Sequence, residues 1–272
     1  MSMFAKGRHG QAGYFTLADL PQAAGDLDAI GTGWWELDQI FKLYAGQFTI
    51  TTGLAGSGKS TLWLNLICNL AAGERGIRSF MYVPENEVLI DRKLRAIWGN
   101  RDGWNYFRTE QCYVQSAQPE HYDDEPKTIE WVLDKAVISM KNDGVGLLFI
   151  DPWNELERAK PPDMLLTDYI GKCLMYLKQF CRAYHAMVVV VAHPTKAGVE
   201  HGRQPTLADV EGSMNWYNKA DNGLIVVREP EGNTCRVVSA KVREIGAGKL
   251  GQCFFKVDDK TGLFTPQYGA AG

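Results

Sequence analysis

Residues Gly53 to Ser60 read Gly-Leu-Ala-Gly-Ser-Gly-Lys-Ser and meet every fixed position of G-x-x-x-x-G-K-[S/T], the Walker A pattern. Glycines at this spacing let the backbone fold back, so that its N–H groups point inward around phosphate oxygens. The start of the helix that follows adds a partial positive charge. Gly53, Gly56, Ser57 and Gly58 would form the cradle, and Ser60 would hold Mg²⁺, with Thr61 next to it in the first helical turn. Lys59 would reach the β- and γ-phosphates, so the ligand expected is ATP or another NTP. A P-loop needs a second acid for the metal, and Asp151, at the end of the apolar run 145–150, is placed for it. Hydrolysis also needs a group that orients or deprotonates water. Glu85 and Glu87 both follow a strand-like segment closely, and spacing alone leaves the two open.

These side chains require strands that end together and helices that begin beside them. Phe48–Thr52 reads as a strand entering the P-loop, and Lys59–Ala72 as the helix leaving it. Ser79–Val83 and Cys112–Gln115 read as extended, Val88–Trp98 and Thr128–Asn142 as helical. Val145–Ile150 and Ala186–Ala192 are wholly apolar, as suits strands buried on both faces of a parallel sheet. Between them Ile170, Leu174, Leu177, Cys181 and Tyr184 recur at helical spacing over Thr167–His185. After residue 220 the chain turns β-rich: Gly223–Arg228, Thr234–Val242, Gly251–Val257, then a turn at 259–262 leading to Leu263–Thr265. The expectation is an α/β core around a P-loop, with a mostly parallel sheet extended by antiparallel C-terminal strands. Residues 1–30 read as a flexible arm with room for a linker helix at 14–30, and 31–272 as the ATPase domain.

Composition narrows the class. The chain has 272 residues, 45% hydrophobic and 22% charged, which excludes disordered, collagen-like and coiled-coil chains. Lys and Arg total 29 against 32 Asp and Glu, a net charge of −3. No general basic coat for nucleic acid exists, so any contact with phosphates must come from local loops. The six cysteines form no C-x-x-C pair and lack zinc-ligand spacing, so buried thiols in a reducing compartment are expected. No apolar run is long enough to span a bilayer, and residues 1–13 are polar and Gly-rich. A cytoplasmic protein, bacterial or phage-encoded, or one in another reducing intracellular compartment, is the expectation, with no membrane contact.

Several separate stretches, in this order, resemble the RecA-like motor domain of superfamily 4 ring helicases, which implies a RecA-like P-loop NTPase core. They are TGWWELDQIFKLYAGQFTITTGLAGSGKST (32–61), VPENE (83–87), IDPWNELE (150–157), VVAHPTK (190–196), DVEGSMNWYNKADNGLIVVRE (209–229) and AKVREIGAGKLG (240–251). The likeness is nearer to Twinkle-like and phage primase–helicases than to the DnaB group, and it runs from residue 31 almost to the C-terminus. It implies that Glu85 is the catalytic base, on the Glu of a Ser-Pro-Glu-Asn motif in which Val83 replaces Ser. It implies that His193 senses the γ-phosphate; taken alone, a His at a strand end is a packed one. It implies that Lys241 and Arg243 reach the ATP of a neighbouring subunit; taken alone, they read as solvated strand residues.

The resemblance also implies a homo-oligomeric ring of six or seven subunits on single-stranded DNA, with primase or polymerase as partners. The DNA would be gripped by loops at 155–167 and 195–219. Arg158 and Lys160 lie in the first, and Lys196, Arg203, Asn215 and Lys219 in the second. Glu211 stands where the DnaB group tends to be basic, and Trp216 and Tyr217 are candidates for stacking on bases or packing on a neighbour. The expected function is an ATP-dependent replicative DNA helicase motor. The alternatives are a recombinase-like or regulatory DNA-binding ATPase that does not unwind DNA, and a nucleotide-switched loader. Relatives of this type often carry a primase-like or toprim domain first, and residues 1–30 leave no room for one.

Overall fold

The computed structural model describes residues 27–115, 125–195, 204–211, 213–230 and 233–267. Nine strands form one sheet: β1 (Phe48–Thr52), β2 (Ser79–Tyr82), β3 (Cys112–Val114), β4 (Leu147–Ile150), β5 (Met187–Val191), β6 (Asn222–Arg228), β7 (Thr234–Val242), β8 (Gly251–Val257) and β9 (Phe264–Pro266). Their order is β3-β2-β4-β5-β1-β6-β7-β8-β9. Pairing is parallel from β3 through β6 and antiparallel from β6 to β9. The expected class therefore holds: a mostly parallel sheet carrying an antiparallel extension.

The apolar runs are continuous because the central strands feed two cores. Phe149, Val189 and Val191 pack on one side with α2 (Lys59–Ala72) and α3 (Ile90–Trp98). Leu148, Ile150, Val188 and Val190 pack on the other with α5 (Ile129–Asp143) and α6 (Leu166–Tyr184). Strand alternation divides one hydrophobic string between the two layers. In β1 the threonines take part as well: Thr51 Oγ1 accepts a hydrogen bond from Trp63 Nε1 at 2.8 Å, which fixes the P-loop helix on its own strand.

Helix ends follow local chemistry. Thr128 caps α5, its hydroxyl accepting from Trp131 N at 3.3 Å, and Gly144 closes that helix at φ 67°. The turn before β9 is held by Gly262 N donating to Asp258 O and Asp258 N donating to Leu263 O, at 2.7 and 3.0 Å.

Three segments differ from the sequence reading. The helix expected over Val88–Trp98 divides into a 3₁₀ turn (Glu87–Leu89) and α3. The segment after Gly103 forms α4 (Trp104–Tyr106) and a π-helical turn (Phe107–Gln111). A Trp98–Trp104–Phe107 cluster holds it in place. The stretch read as a loop up to Lys219 contains α7 (Ser213–Lys219). A short helix α1 (Trp35–Asp38) precedes the sheet. At the amino side Ile30 bridges to Leu43 and Asp28 pairs with Arg75. No helix among the described residues is long and apolar enough to cross a membrane.

Candidate active site

The nucleotide cleft lies at the carboxyl ends of the parallel strands. There β1 runs into the P-loop, and its crossover through α2 passes over β5 and β4 to reach β2. Ligands bind at such ends in open α/β sheets. Gly53 has φ 151°, and a Cβ added there would meet Val226 O at 2.2 Å; the loop presses too closely on β6 for any side chain. Gly58 caps α2 at φ 98° in the left-handed region. It leaves the first N–H groups of a 14-residue helix facing the cleft.

The cleft, of about 420 Å³, is lined by Gly56, Gly58, Lys59, Ser60 and Thr61, together with Glu85, Asn86, Lys93, Asp151 and His193. Lys59 is 4% exposed. Its ammonium donates to Gly53 O and Leu54 O, both at 2.8 Å. Burial lowers its pKa to about 8, against the pull of Asp151 and Glu85. Asp151 is 3% exposed. Burial raises its carboxyl to about 6, opposed by the Ser60 hydroxyl bonded to it and by Lys59 and Lys93, and reinforced by Glu85. His193 is held below its ordinary value, first by desolvation and then by Lys59.

A hydroxyl and a carboxylate bonded to one another offer the all-oxygen ligands that Mg²⁺ takes, with room in the cleft for phosphate oxygens and water. Nearby, the buried Ser57 hydroxyl has no hydrogen-bond partner among the described residues, as befits a polar atom at the edge of a ligand cradle. The residues present thus suit a magnesium nucleotide.

Glu85 lines the cleft, whereas Glu87 opens the 3₁₀ turn and is not among its walls. Geometry therefore separates the two acids that spacing left open. Glu85→Gln should retain nucleotide binding and lose about 10²–10⁴ in turnover, the range for a lost general base. Glu87→Gln should stay close to the parent enzyme in the same ATPase and nucleotide-binding measurements.

Sequence reasoning passed over two cleft residues, Asn86 and Lys93. The Lys93 ammonium donates to Asn86 Oδ1, which brings a second cation to the cleft. Lys93 lies one turn into α3, and its distance from the motifs gave no signal. Asn154, one turn beyond Asp151, accepts from His193 N at 3.4 Å and joins the ends of β4 and β5.

Lys241 and Arg243 do not join this cleft. In the antiparallel β6–β7 pair, Cys235 sits opposite Arg228 and its thiol reaches Ser57 O at 3.7 Å. Lys241 sits opposite Gly223, at the other end of the sheet. Six residues of strand separate it from Cys235, about 20 Å at the antiparallel rise per residue. Lys241 donates to Tyr217 O and lies 4.8 Å from the centre of the Tyr217 ring. Burial and then Arg243 lower its pKa. Arg243 donates to Asn218 O at 2.7 Å and to Ala220 O at 3.3 Å.

Of the residues suggested for nucleic acid, Lys196 and Arg203 lie outside the described residues. Asn215 and Lys219 fall on α7, where Asn215 Nδ2 donates to Thr167 O at 2.9 Å. Arg158 pairs with Glu211 at 2.5 Å, so the segments after β4 and β5 are joined by an ion pair. Trp216 corrects the sequence reading. It is fully buried, edge-on to Trp153, with its indole N–H donating to Glu211 O at 2.7 Å. It is a core residue of its own subunit, available neither for stacking on bases nor for a neighbour. Tyr217, 45% exposed, remains at the surface. All six cysteines are free, five of them buried.

The fold and cleft are those of a RecA-like P-loop ATPase. A family model described as an AAA domain matches residues 36–199. The Twinkle homolog protein, chloroplastic/mitochondrial, of Arabidopsis thaliana is 29% identical over 265 residues, covering 87% of this chain and 36% of that one. A solved structure of an ATPase domain superposes with a TM-score of 0.73 at 17% identity, over 90% of this chain and 93% of that one. A DnaB-like replicative helicase, solved in a study of its interactions with primase, superposes at 0.70 and 16% identity, over 89% and 63%. The chain belongs to the AAA domain family. It spans 36% of the length of the curated relative it matches.

Proposed function

We propose that this chain is the ATP-dependent motor domain of a replicative DNA helicase, working as a homo-oligomeric ring of six or seven subunits on single-stranded DNA. One observation carries the reading. Lys59, Ser60, Glu85, Asp151 and His193 converge in one cleft, while Lys241 and Arg243 stand at the far end of the sheet. Their distance from their own nucleotide cleft supports the reading, drawn from the resemblance, that they serve the cleft of another copy.

In this mechanism the P-loop backbone and Lys59 would grip the phosphates, and Ser60 and Asp151 would hold Mg²⁺. When bound, Mg²⁺ would neutralise negative charge on the phosphates. Glu85 orients and deprotonates the attacking water. His193, tied through its N–H to Asn154, carries the state of the γ-phosphate to the segment after Asp151. Arg243 of an adjacent copy stabilises charge developing on the γ-phosphoryl group. The segments joined by Arg158 and Glu211, together with Lys196, Arg203, Asn215 and Lys219, would face DNA. Their grip would be electrostatic and would weaken with salt. Primase or polymerase would be partners of the assembled ring.

The test is strand displacement on forked DNA with 5′ or 3′ tails, with native mass measured in parallel. A closed ring that hydrolyses ATP and separates strands is the expected result. Open filaments that hydrolyse ATP without separating strands would favour the recombinase-like alternative.

A further inference from the structure

Arg243 follows the last residue of β7, so the sheet fixes its backbone without fixing its side chain. Its side chain is 37% exposed, and a long, partly exposed side chain would otherwise distribute over many rotamers. Two main-chain carbonyls, Asn218 O and Ala220 O, and one carboxylate restrain it. Asp221, only 4% exposed, lies 3.5 Å from Arg243 Nη1. That carboxylate is itself fixed by the fold. It accepts from Phe48 N, the first residue of β1, at 2.9 Å, and receives the Lys178 ammonium of α6 on both oxygens. Lys241 is held differently, by the Tyr217 carbonyl and ring.

We propose that Asp221 is the positioning residue for Arg243. It acts from within the same subunit and presents the guanidinium to the ATP of the neighbouring one. The proposal rests on the reading that Arg243 acts in trans. Asp221 touches no nucleotide; its contribution is to hold one planar cation in one direction. A guanidinium suits this, because its fork can bond the Asp221 carboxylate and the carbonyls of Asn218 and Ala220 together. The same arrangement links the cation to the end of α7, where Asn218 and Ala220, the residue just past the helix, supply those carbonyls, and α7 follows Glu211, the partner of Arg158. A movement of the α7 end would therefore move Arg243.

Steady-state ATPase of the full chain with single-stranded DNA, read as kcat and KM separately, tests this on five variants. Asp221→Asn keeps an acceptor for Phe48 N and removes the charge. Because it leaves Lys178 without its carboxylate, Asp221→Asn/Lys178→Gln removes both charges and is the safer variant for folding. Both should lose about 10–100-fold in kcat, the scale of a misplaced group, with KM for ATP near the parent value because the P-loop is untouched. Lys178→Gln alone keeps Asp221 on Arg243 and should retain kcat. Adding Arg243→Ala to the double variant should cost no more than Arg243→Ala alone. Parent-level kcat in the double variant would overturn the proposal. So would an equal loss in Lys178→Gln, or a double variant that fails to fold, since either would make Asp221 a structural residue only. If Arg243→Ala itself retained kcat, the trans reading would fall first, which keeps the two failures distinguishable.

Discussion

Arg243→Ala is expected to lower kcat for ATP by about 10³–10⁵, the contribution of an arginine that neutralises charge on a transferring phosphoryl group. Nucleotide binding and thermal stability of the isolated subunit should change little. Arg243 stands at the opposite end of the sheet from its own P-loop, and its remaining contacts are to main-chain oxygens at the end of α7 and to Asp221. The loss should lie in kcat, because the arginine meets charge that develops only in the transition state. Single-turnover ATPase with nucleotide binding measured separately checks this. A variant whose affinity falls while its turnover survives would place Arg243 outside the reaction.

Asp151→Asn should produce opposite effects on stability and activity. The native carboxyl titrates near 6 against an ordinary value of 3.8, with burial as the first cause. The folded state thus holds the proton more tightly than the unfolded one. Stability associated with this group is fully present below about pH 4 and is lost as pH rises through about 6. Asparagine removes the buried charge, so the nucleotide-free variant should be more stable than the parent above pH 6, by about 1–3 kcal/mol. The two should converge near pH 4. Turnover should fall at least about 10³-fold, because the metal loses its protein carboxylate. In the parent, magnesium-dependent nucleotide affinity should weaken as pH drops through about 6, where Asp151 gains its proton. Denaturant melts at several pH values, with and without Mg-ATP, read all of these. A variant less stable than its parent at pH 8 would contradict the assignment of Asp151 as a carboxylate kept for function at a cost to the fold.

The central sheet was legible because its signals are strong and local. The runs at 145–150 and 186–192 admit few structures other than strands buried on both faces. The P-loop glycines mark a strand-to-helix turn by themselves. What escaped depends on tertiary contacts. Helix α7 is too short to show a period, and its anchor, Trp216, resembles a surface aromatic until Trp153 and Phe48 are seen around it. The π-helical turn at 107–111 depends on three rings meeting across Gly99 and Gly103. Lys93 reaches the cleft only because the helix expected over 88–98 begins late, after a 3₁₀ turn that aims α3 back at Asn86. Glu85 and Glu87 could not be separated by spacing, since a turn of unknown shape decides which side chain faces inward. Asp221 drew no attention as part of a stretch quoted for resemblance, and its burial between Lys178, Arg243 and β1 needed coordinates.

The claim that each ATP site is completed by a second subunit is tested most directly by mixing two inactive variants. Lys59→Ala lacks its own nucleotide grip and keeps Arg243; Arg243→Ala keeps the cleft and lacks the arginine. Each alone should show no DNA-stimulated ATPase. Random co-assembly in equal amounts should restore about one quarter of parental activity, because one interface in four then joins an intact cleft to an intact arginine. If the mixture stays as inactive as its components while native mass shows mixed assemblies, Arg243 does not complete a neighbour's site and the account is contradicted.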